Sequence, residues 1–513
     1  MLTQLTKSGV KLLDYKYSGE IAAGITGALG LAQATLADTP GSNFAGGIMF
    51  GAAGLWCVKR IWNVWAQDRH RVPELYEYAL DNYWFQSAGL ADEPINAPLK
   101  GRHSADIVII GGGYTGLSCA LHLKERFANK EIILLEGARC GYGASGRNGG
   151  FCNPGFPSLQ ESVDKIGPQA ARQAFDVTMY GMERIRTMAS VYGLECDLEE
   201  NGLLEVAFND IQVKSLYKLL HRYEAMDLEA SILEGAALQD EVKSPRFRAA
   251  LKVSFGGILD PAKLARGMKR AAEQIGVKIY EGTVVLRADT GKVHRIVTEQ
   301  GEVQAPDMVL GLNGYAEKLG FFKNRIIPMG DYIIATEPLT PQQWESIGWQ
   351  NRQGISDLRS LFNYFRPTKD GRIVFGGGDV AYYTGDGLSS GNHKTAIAKL
   401  RQDLLSTFPQ LDGINIEHAW GGTLGMSADV TPSIGKMGDH GNIYYGVAYN
   451  GEGVVMAQTA GRIITDLMAG EKTEFSDFML TNREIGYAGP QVFRSLPIKA
   501  YLWYLQNFEQ SRC

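Results

Sequence analysis

Residues 105–136 read ADIVIIGGGYTGLSCALHLKERFANKEIILLE: an apolar run, a glycine turn, a helical stretch and a second apolar run ending in an acid. Few patterns restrict a fold so tightly. A strand, turn, helix and strand of this length form a βαβ unit, whose two strands lie parallel in one sheet. Gly111, Gly113 and Gly116 supply the G-x-G-x-x-G spacing. The first glycine permits a tight turn, the second admits a pyrophosphate, and the third lets helix and strand approach closely. The helix then begins at Tyr114 and Thr115, with unpaired N–H groups facing an anion. Glu136 ends the second strand, where its carboxylate can accept hydrogen bonds from ribose hydroxyls. The motif alone would be weak in a chain with 62 glycines. Its complete strand–turn–helix–strand context makes it a dinucleotide site rather than a structural turn.

This fingerprint does not separate FAD from NAD. The segment 143–150, GASGRNGG, does, because it places a second small-residue loop shortly after the ribose acid. A flavin needs backbone close to its diphosphate and ring, whereas a nicotinamide domain has little use for such a loop. The plain alternative is a flexible surface loop.

The two motifs together resemble the D-amino-acid oxidase family of FAD enzymes, and within it the γ-glutamylputrescine oxidase branch. Stretches that carry the resemblance include IIGGGYTGLSCALHL, LEGARCGYGASGRNGG, NYFRPTKDGRIVFGG, AWGGTLGMSADVTPSIG and YNGEGV, in that order. The resemblance implies an α/β flavoprotein: a Rossmann-like FAD-binding domain joined to a substrate domain built on an antiparallel sheet. It carries FAD contacts onto Gly111, Gly113, Tyr114, Thr115 and Gly116, onto Glu136 and Gly137, and onto Ala144, Ser145, Arg147, Asn148, Gly149 and Gly150. Further along it carries them onto Val284, Asn313, Gly314 and Gly422, and onto the turn and helix start Gly451, Glu452, Gly453 and Val454. Relatives with covalent FAD use a histidine or cysteine in these loops. Neither loop has one here, so FAD is expected without a covalent bond.

The remaining chain reads consistently. An amphipathic helix over 262–275 follows the Asp260-Pro261 start signal and leads to a strand over 277–280. Strands are expected over 308–311 and 442–448, with a helix over 454–468. Segments 104–155, 256–324 and 411–480 then form the FAD-binding domain, with 156–255 and 325–410 as the substrate domain. In the latter, strands over 330–336, 360–367 and 372–376 read as antiparallel, and TKDG is a hairpin turn. Residues 66–103 read as a linker and 481–513 as a C-terminal tail.

The first 65 residues depart from this pattern. Stretches 21–37 and 44–58 are apolar, uncharged and rich in Gly and Ala, separated by the breaker Asp38-Thr39-Pro40-Gly41-Ser42. Each is shorter than the roughly 20 residues of an ordinary span. They read either as a tight membrane hairpin or as a soluble helical pair packed on the enzyme. Lys7, Lys11 and Lys16 before the pair, and Lys59, Arg60, Arg69 and Arg71 after it, would put both ends on the cytoplasmic side of a bacterial inner membrane. The soluble alternative is cytoplasmic. A net charge of −5 with no basic cluster disfavours nucleic acid. Six cysteines without C-x-x-C, and no ligand-like pairing with histidine, give no metal site and no disulfide framework.

The substrate reading turns on an absence. In amino-acid oxidases of the family an arginine eleven residues before the glycine of the P-x-x-G turn clamps the substrate carboxylate. Counting back from Gly435 reaches Leu424, which cannot pair an acid. An amine, polyamine or N-substituted amine fits better than an α-amino acid. The expected chemistry is hydride transfer from the carbon beside nitrogen to flavin N5, giving an imine and then an aldehyde. Tyr332, Tyr364 and Trp420 are placed in the pocket as aromatics suited to an alkylamine, with plain core packing as the alternative. Arg366 reads either as a contact for a distant carboxylate or as a structural arginine. Glu452 stands where relatives commonly carry histidine, and either stabilises an ammonium or starts a helix. Val374 falls where oxygen-activating relatives carry lysine, leaving oxygen or a membrane quinone as acceptor. Two alternatives stand beside amine oxidation: a secondary amino-acid oxidase or dehydrogenase, and a flavoprotein partner in electron transfer or assembly without turnover of its own.

Overall fold

The computed structural model describes residues 82–506 apart from 91, 158 and 383–393. These lie in one compact unit, Pro73–Cys513. The apolar stretches 21–37 and 44–58, and the basic residues flanking them, lie outside the described residues. Among the described residues no helix is long and apolar enough to cross a membrane.

The βαβ unit forms as its pattern dictates. Strand Ile107–Ile110, buried at every position, pairs in parallel with Ile132–Leu135 on one side and Asp307–Leu310 on the other. Lys278–Tyr280 and Ile443–Val447 extend the parallel set, and Ser433–Met437 closes one edge antiparallel. Continuous Val, Ile and Leu runs are what a sheet covered on both faces requires. Helix Tyr114–Arg126 lies beneath helix Gly453–Ala469 at close range, since a Cβ on Gly461 would stand 2.2 Å from Ser118 Oγ. The helix Pro261–Gln274 starts where the Asp-Pro signal places it, with the Asp260 carboxylate accepting from Ala262 N and Lys263 N.

A second sheet has eight strands. Five of them, from Ile416–Met426 through Ile327–Thr336, Ile373–Tyr382 and Asn363–Pro367 to Gly354–Asp357, are antiparallel neighbours. One parallel joint, Gly354–Asp357 with Leu203–Ala207, connects them to the strands of the earlier insertion. The TKDG turn is present: Gly371, at φ +84°, donates to the Thr368 carbonyl. Helix Lys394–Thr407 covers one face, burying Ala396, Leu400 and Leu404 with Tyr332, Ile334, Phe365 and Phe375. The other face turns toward the nucleotide sheet.

Three boundaries differ from the sequence reading. Strand Ile416–Met426, expected in the FAD-binding part, pairs with Ile327–Thr336 along its length and so belongs to the substrate sheet. The strand expected from 360 begins at Asn363, because the Asp357 carboxylate accepts from Arg359 N, Arg359 Nε and Asn363 N and folds 358–362 into a turn. The stretch read as a linker contains a helix, Tyr83–Ser87, capped by Asn82 and buried through Tyr83, Trp84 and Phe85. Its aromatic run was the signal that this part of the chain is core.

Trp84 meets Trp420 edge-on at 6.2 Å between ring centroids, and its indole N–H donates to the Asn148 carbonyl at 2.9 Å. Trp84→Ala removes a fully buried ring and leaves that carbonyl without its indole donor. A loss of about 3–5 kcal/mol is expected, read as a lowered midpoint in denaturant unfolding. Trp84→Phe keeps most of the packing and should cost about 1–3 kcal/mol.

Candidate active site

The glycine turn is as crowded as its motif requires. A Cβ on Gly116 would stand 1.9 Å from the Gly111 carbonyl oxygen, and one on Gly111, at φ +102°, 2.6 Å from that of Gly311. No side chain fits at either position. Gly113 ends the turn, with its Cβ position 3.0 Å from Ser145 Oγ. The first turn of the helix therefore faces the 143–150 loop, and Tyr114 N donates to Ser145 Oγ at 2.9 Å. Thr115 is turned inward, its hydroxyl bonded to the Tyr449 hydroxyl at 2.9 Å. The Glu136 carboxylate accepts from Gly112 N at 2.7 Å and Ala138 N at 2.9 Å. Burial pushes this carboxyl up, and those backbone N–H groups oppose the shift. Gly137 N also donates to it, and a lone-pair position remains for a ribose hydroxyl. Val284 lies 3.6 Å from the Cβ position of Gly137, at the adenosine end.

The 143–150 loop is clamped from behind. Asn82 Nδ2 donates to the Gly146 carbonyl at 2.7 Å, Trp84 Nε1 to that of Asn148, and Trp420 Nε1 to that of Arg147 at 2.8 Å. The Asn148 side chain braces the loop internally, donating to the Ala144 and Ser145 carbonyls and accepting from Gly150 N. Arg147 is buried between the Phe85 and Tyr142 rings and donates to the Tyr142 and Gly421 carbonyls. A Cβ on Gly422 would stand 3.2 Å from Arg147 Cβ, a tight approach. Ala144, Ser145 and Asn148 keep partial exposure, as a loop lining a cleft does.

The C-terminal turn closes the same cleft. Asn313, at φ +42°, accepts from Ala448 N at 3.0 Å through Oδ1, and Gly314 packs on Gly425. Gly451, at φ +101°, turns the chain into helix Gly453–Ala469, with Glu452 at the N-cap and Val454 buried. The Glu452 carboxyl has Asn153 as its side-chain partner. Burial pushes it up to about 7. No ion pair to Glu452 is formed among the described residues.

The four residues expected to contact substrate are dispersed by the structure. Tyr364 lies on the face toward the 143–150 loop, its ring over Gly149 and Gly376, where Cβ atoms would stand 2.6 and 2.5 Å away. Tyr332 points the opposite way, into the core beneath helix Lys394–Thr407. Trp420 is buried, and its indole N–H is used on the loop. Arg366 is 1% exposed, lies 5.0 Å over the Trp84 ring, and donates to the Leu259 and Pro367 carbonyls. Burial lowers its guanidinium to about 10. These contacts brace the end of the loop at Gly150, whose Cβ position is 2.1 Å from the Leu259 oxygen. Leu424 packs with Met329, Tyr382, Leu502 and Leu505, an apolar setting for the position of the carboxylate clamp. Val374 is wholly buried.

Sequence reasoning passed over Asp331. Its carboxylate accepts from the Tyr364 hydroxyl at 2.5 Å and from Tyr332 N at 2.9 Å. Asp331 is half-buried on the Tyr364 face, and burial pushes its carboxyl up to about 6. An acid inside an otherwise apolar strand, GDYIIAT, was the available signal.

Such a cradle suits FAD: a glycine turn closed to any Cβ, a free-facing ribose acid, and a second small-residue loop held rigid near a helix start. Gly116→Val should abolish flavin binding, because a side chain cannot occupy a point 1.9 Å from a carbonyl oxygen. The check is the visible absorption of the purified variant, against a Gly486→Ala control, where no atom lies within 4 Å of the Cβ position.

Comparison with known proteins agrees. The family model described as FAD dependent oxidoreductase matches residues 106–467. The γ-glutamylputrescine oxidoreductase of Escherichia coli is 33% identical over 379 residues, covering 73% of this chain and 86% of that protein. The probable oxidoreductase OrdL of Haemophilus influenzae is 28% identical over 450 residues, covering 85% of this chain and 99% of the relative. Among solved structures, glycine oxidase from Geobacillus kaustophilus superposes with a TM-score of 0.63 at 18% identity, covering 74% of this chain and all of that one. The chain belongs to the family of FAD-dependent oxidoreductases that includes these amine-oxidising enzymes.

Proposed function

We propose that the protein oxidises the C–N bond of an alkylamine or N-substituted amine of the γ-glutamylputrescine kind to an imine, which water converts to an aldehyde. The observation that carries this reading is Glu452, a half-buried carboxyl at the turn that opens helix Gly453–Ala469, with Asn153 as its side-chain partner. Leu424 supports it, because an apolar residue at the clamp position gives an α-carboxylate no partner.

Alkylamines reach the protein as ammonium ions, and a carbon next to a protonated nitrogen does not release hydride. The substrate must lose one proton first. A carboxyl near 7 is matched to that task at neutral pH, since it is ionised enough to attract the ammonium and basic enough to take its proton. FAD, when bound, supplies the two-electron acceptor for the adjacent C–H bond. The braced 143–150 loop holds the reacting carbon's surroundings rigid, and the packed Trp84, Trp420 and Arg366 layer keeps water from the rear of the site. Val374, buried and apolar, supports slow reoxidation by oxygen and a separate acceptor such as a quinone.

The test is anaerobic titration of the purified protein with γ-glutamylputrescine, simple amines and α-amino acids, following the oxidised flavin's visible absorption. Bleaching by amines alone is expected, followed by slow recovery in air; bleaching by glycine, sarcosine or proline alone would overturn the assignment. Amine binding should strengthen as pH rises through about 7, where Glu452 ionises, and Glu452→Gln should remove that rise.

A further inference from the structure

We infer that Asp331, oriented by Tyr364, forms a second cation subsite that holds the substrate nitrogen that is not oxidised, and so selects substrates with two cationic nitrogens over monoamines. This rests on the amine reading above and adds the residue that sets the substrate class.

The sheet is deformed to build the pair. Asp331 faces Val380 and Ile333 faces Gly376, so the single residue Tyr332 opposes Gly377, Gly378 and Asp379. Gly377 and Gly378 take φ of +79° and +67° to make this bulge. Bulges of this kind re-aim side chains and gather near active sites. Gly376 and Gly149 are both bare where the Tyr364 ring passes, which fixes its hydroxyl on the carboxylate.

What surrounds Asp331 leaves its charge uncompensated. Tyr364 and the backbone of Tyr332 and Gly377 donate to it, but none is a cation. Asp379 on the bulged strand is a second acid, and the cation beside it is Lys399, whose ammonium donates to the Gly378 carbonyl at 2.9 Å. Opposite, on strand Ile416–Met426, Gly422 has no side chain, and Arg147 behind it donates to the Tyr142 and Gly421 carbonyls. No ion pair to Asp331 is formed among the described residues. A half-buried carboxylate held by neutral donors adds little to a sheet's stability, since a buried charge needs a counter-charge. A carboxylate also accepts about four hydrogen bonds, so a position remains for a ligand ammonium.

The two acids divide the work by chemistry. The reacting nitrogen must become neutral, so a partner that stays ionised beside it would hold back the reaction. Asp331, its carboxylate held by the Tyr364 hydroxyl and two backbone N–H groups, fits the nitrogen that keeps its proton; Glu452, with Asn153 as its side-chain partner, fits the one that loses it. They flank one chain segment from different sides, Glu452 through Asn153 and Asp331 through Tyr364 on Gly149.

The experiment is anaerobic flavin bleaching of the full-length holoprotein by a series of α,ω-diamines and the monoamines of equal chain length. The wild type should reach half-saturation with the best diamine at about tenfold lower concentration than with its monoamine. Asp331→Asn should weaken the diamine about tenfold more than the monoamine, erasing that preference, with the flavin spectrum unchanged. Tyr364→Phe, which removes a bond that holds the carboxyl down, should keep a diamine preference whose acidic limb moves above about pH 6. Equal response of the wild type to both amines, or equal weakening of both by Asp331→Asn, overturns the subsite while the amine reading stands. Failure of every amine to bleach the wild type overturns both.

Discussion

Everything at the site hangs on the fixed position of one glycine-rich loop, residues 143–150, between two sheets. A loop this poor in side chains has no packing of its own, and its carbonyls must be satisfied by others. Asn82, Trp84 and Trp420 do so from behind, each with a nitrogen donor whose ring or amide is itself locked by burial. Arg147 and Arg366 fill the same layer, and both donate to main-chain oxygens. With its rear face tied down, the loop's other face meets the helix start through Ser145 and meets Tyr364 through Gly149. Cofactor geometry and substrate geometry are thereby referred to one rigid element.

That dependence explains which features were legible in the sequence. The nucleotide unit is local: strand, turn and helix are adjacent in the chain, and the crowding at Gly111 and Gly116 follows from their spacing. Its parallel strands could be read from continuous apolar runs, and the TKDG hairpin from turn chemistry. The clamp is non-local. Asn82 and Trp84 lie some sixty residues before the carbonyls they hold, and Trp420 more than 270 residues after. Nothing in the local pattern joins them, so a buried helix read as a linker and an anchoring indole read as a pocket wall.

The exchange of Tyr332 for Asp331 has a different cause. Successive side chains of a strand point to opposite faces, so an error of one position reverses the assignment. Chemistry favoured the tyrosine as an amine contact, but periodicity places Asp331 with Ile333 and Ala335 on the face that looks toward the loop, and Tyr332 with Ile334 in the core. The bulge formed by Gly377 and Gly378 brings the Gly377 N–H onto that acid. The bulge, in turn, is invisible without the pairing partner.

On the proposed reading, Leu424, Glu452 and Asp331 form one set. In that reading Leu424 gives an α-carboxylate no partner, while Glu452 and Asp331 supply negative charge for an amine. Each change alone would be ambiguous, since an apolar residue can be simple packing and a raised carboxyl can be a poorly solvated helix start. Taken together they reverse the sign of the site, from one that grips an anion beside the oxidised carbon to one that grips cations. Burial raises both carboxyls, and the donors that oppose the shift differ, three on Asp331 and the Asn153 side chain on Glu452. A pocket of that electrostatic character favours an amine over an amino acid before any shape is considered, because an α-carboxylate would be brought against two acids with no compensating cation.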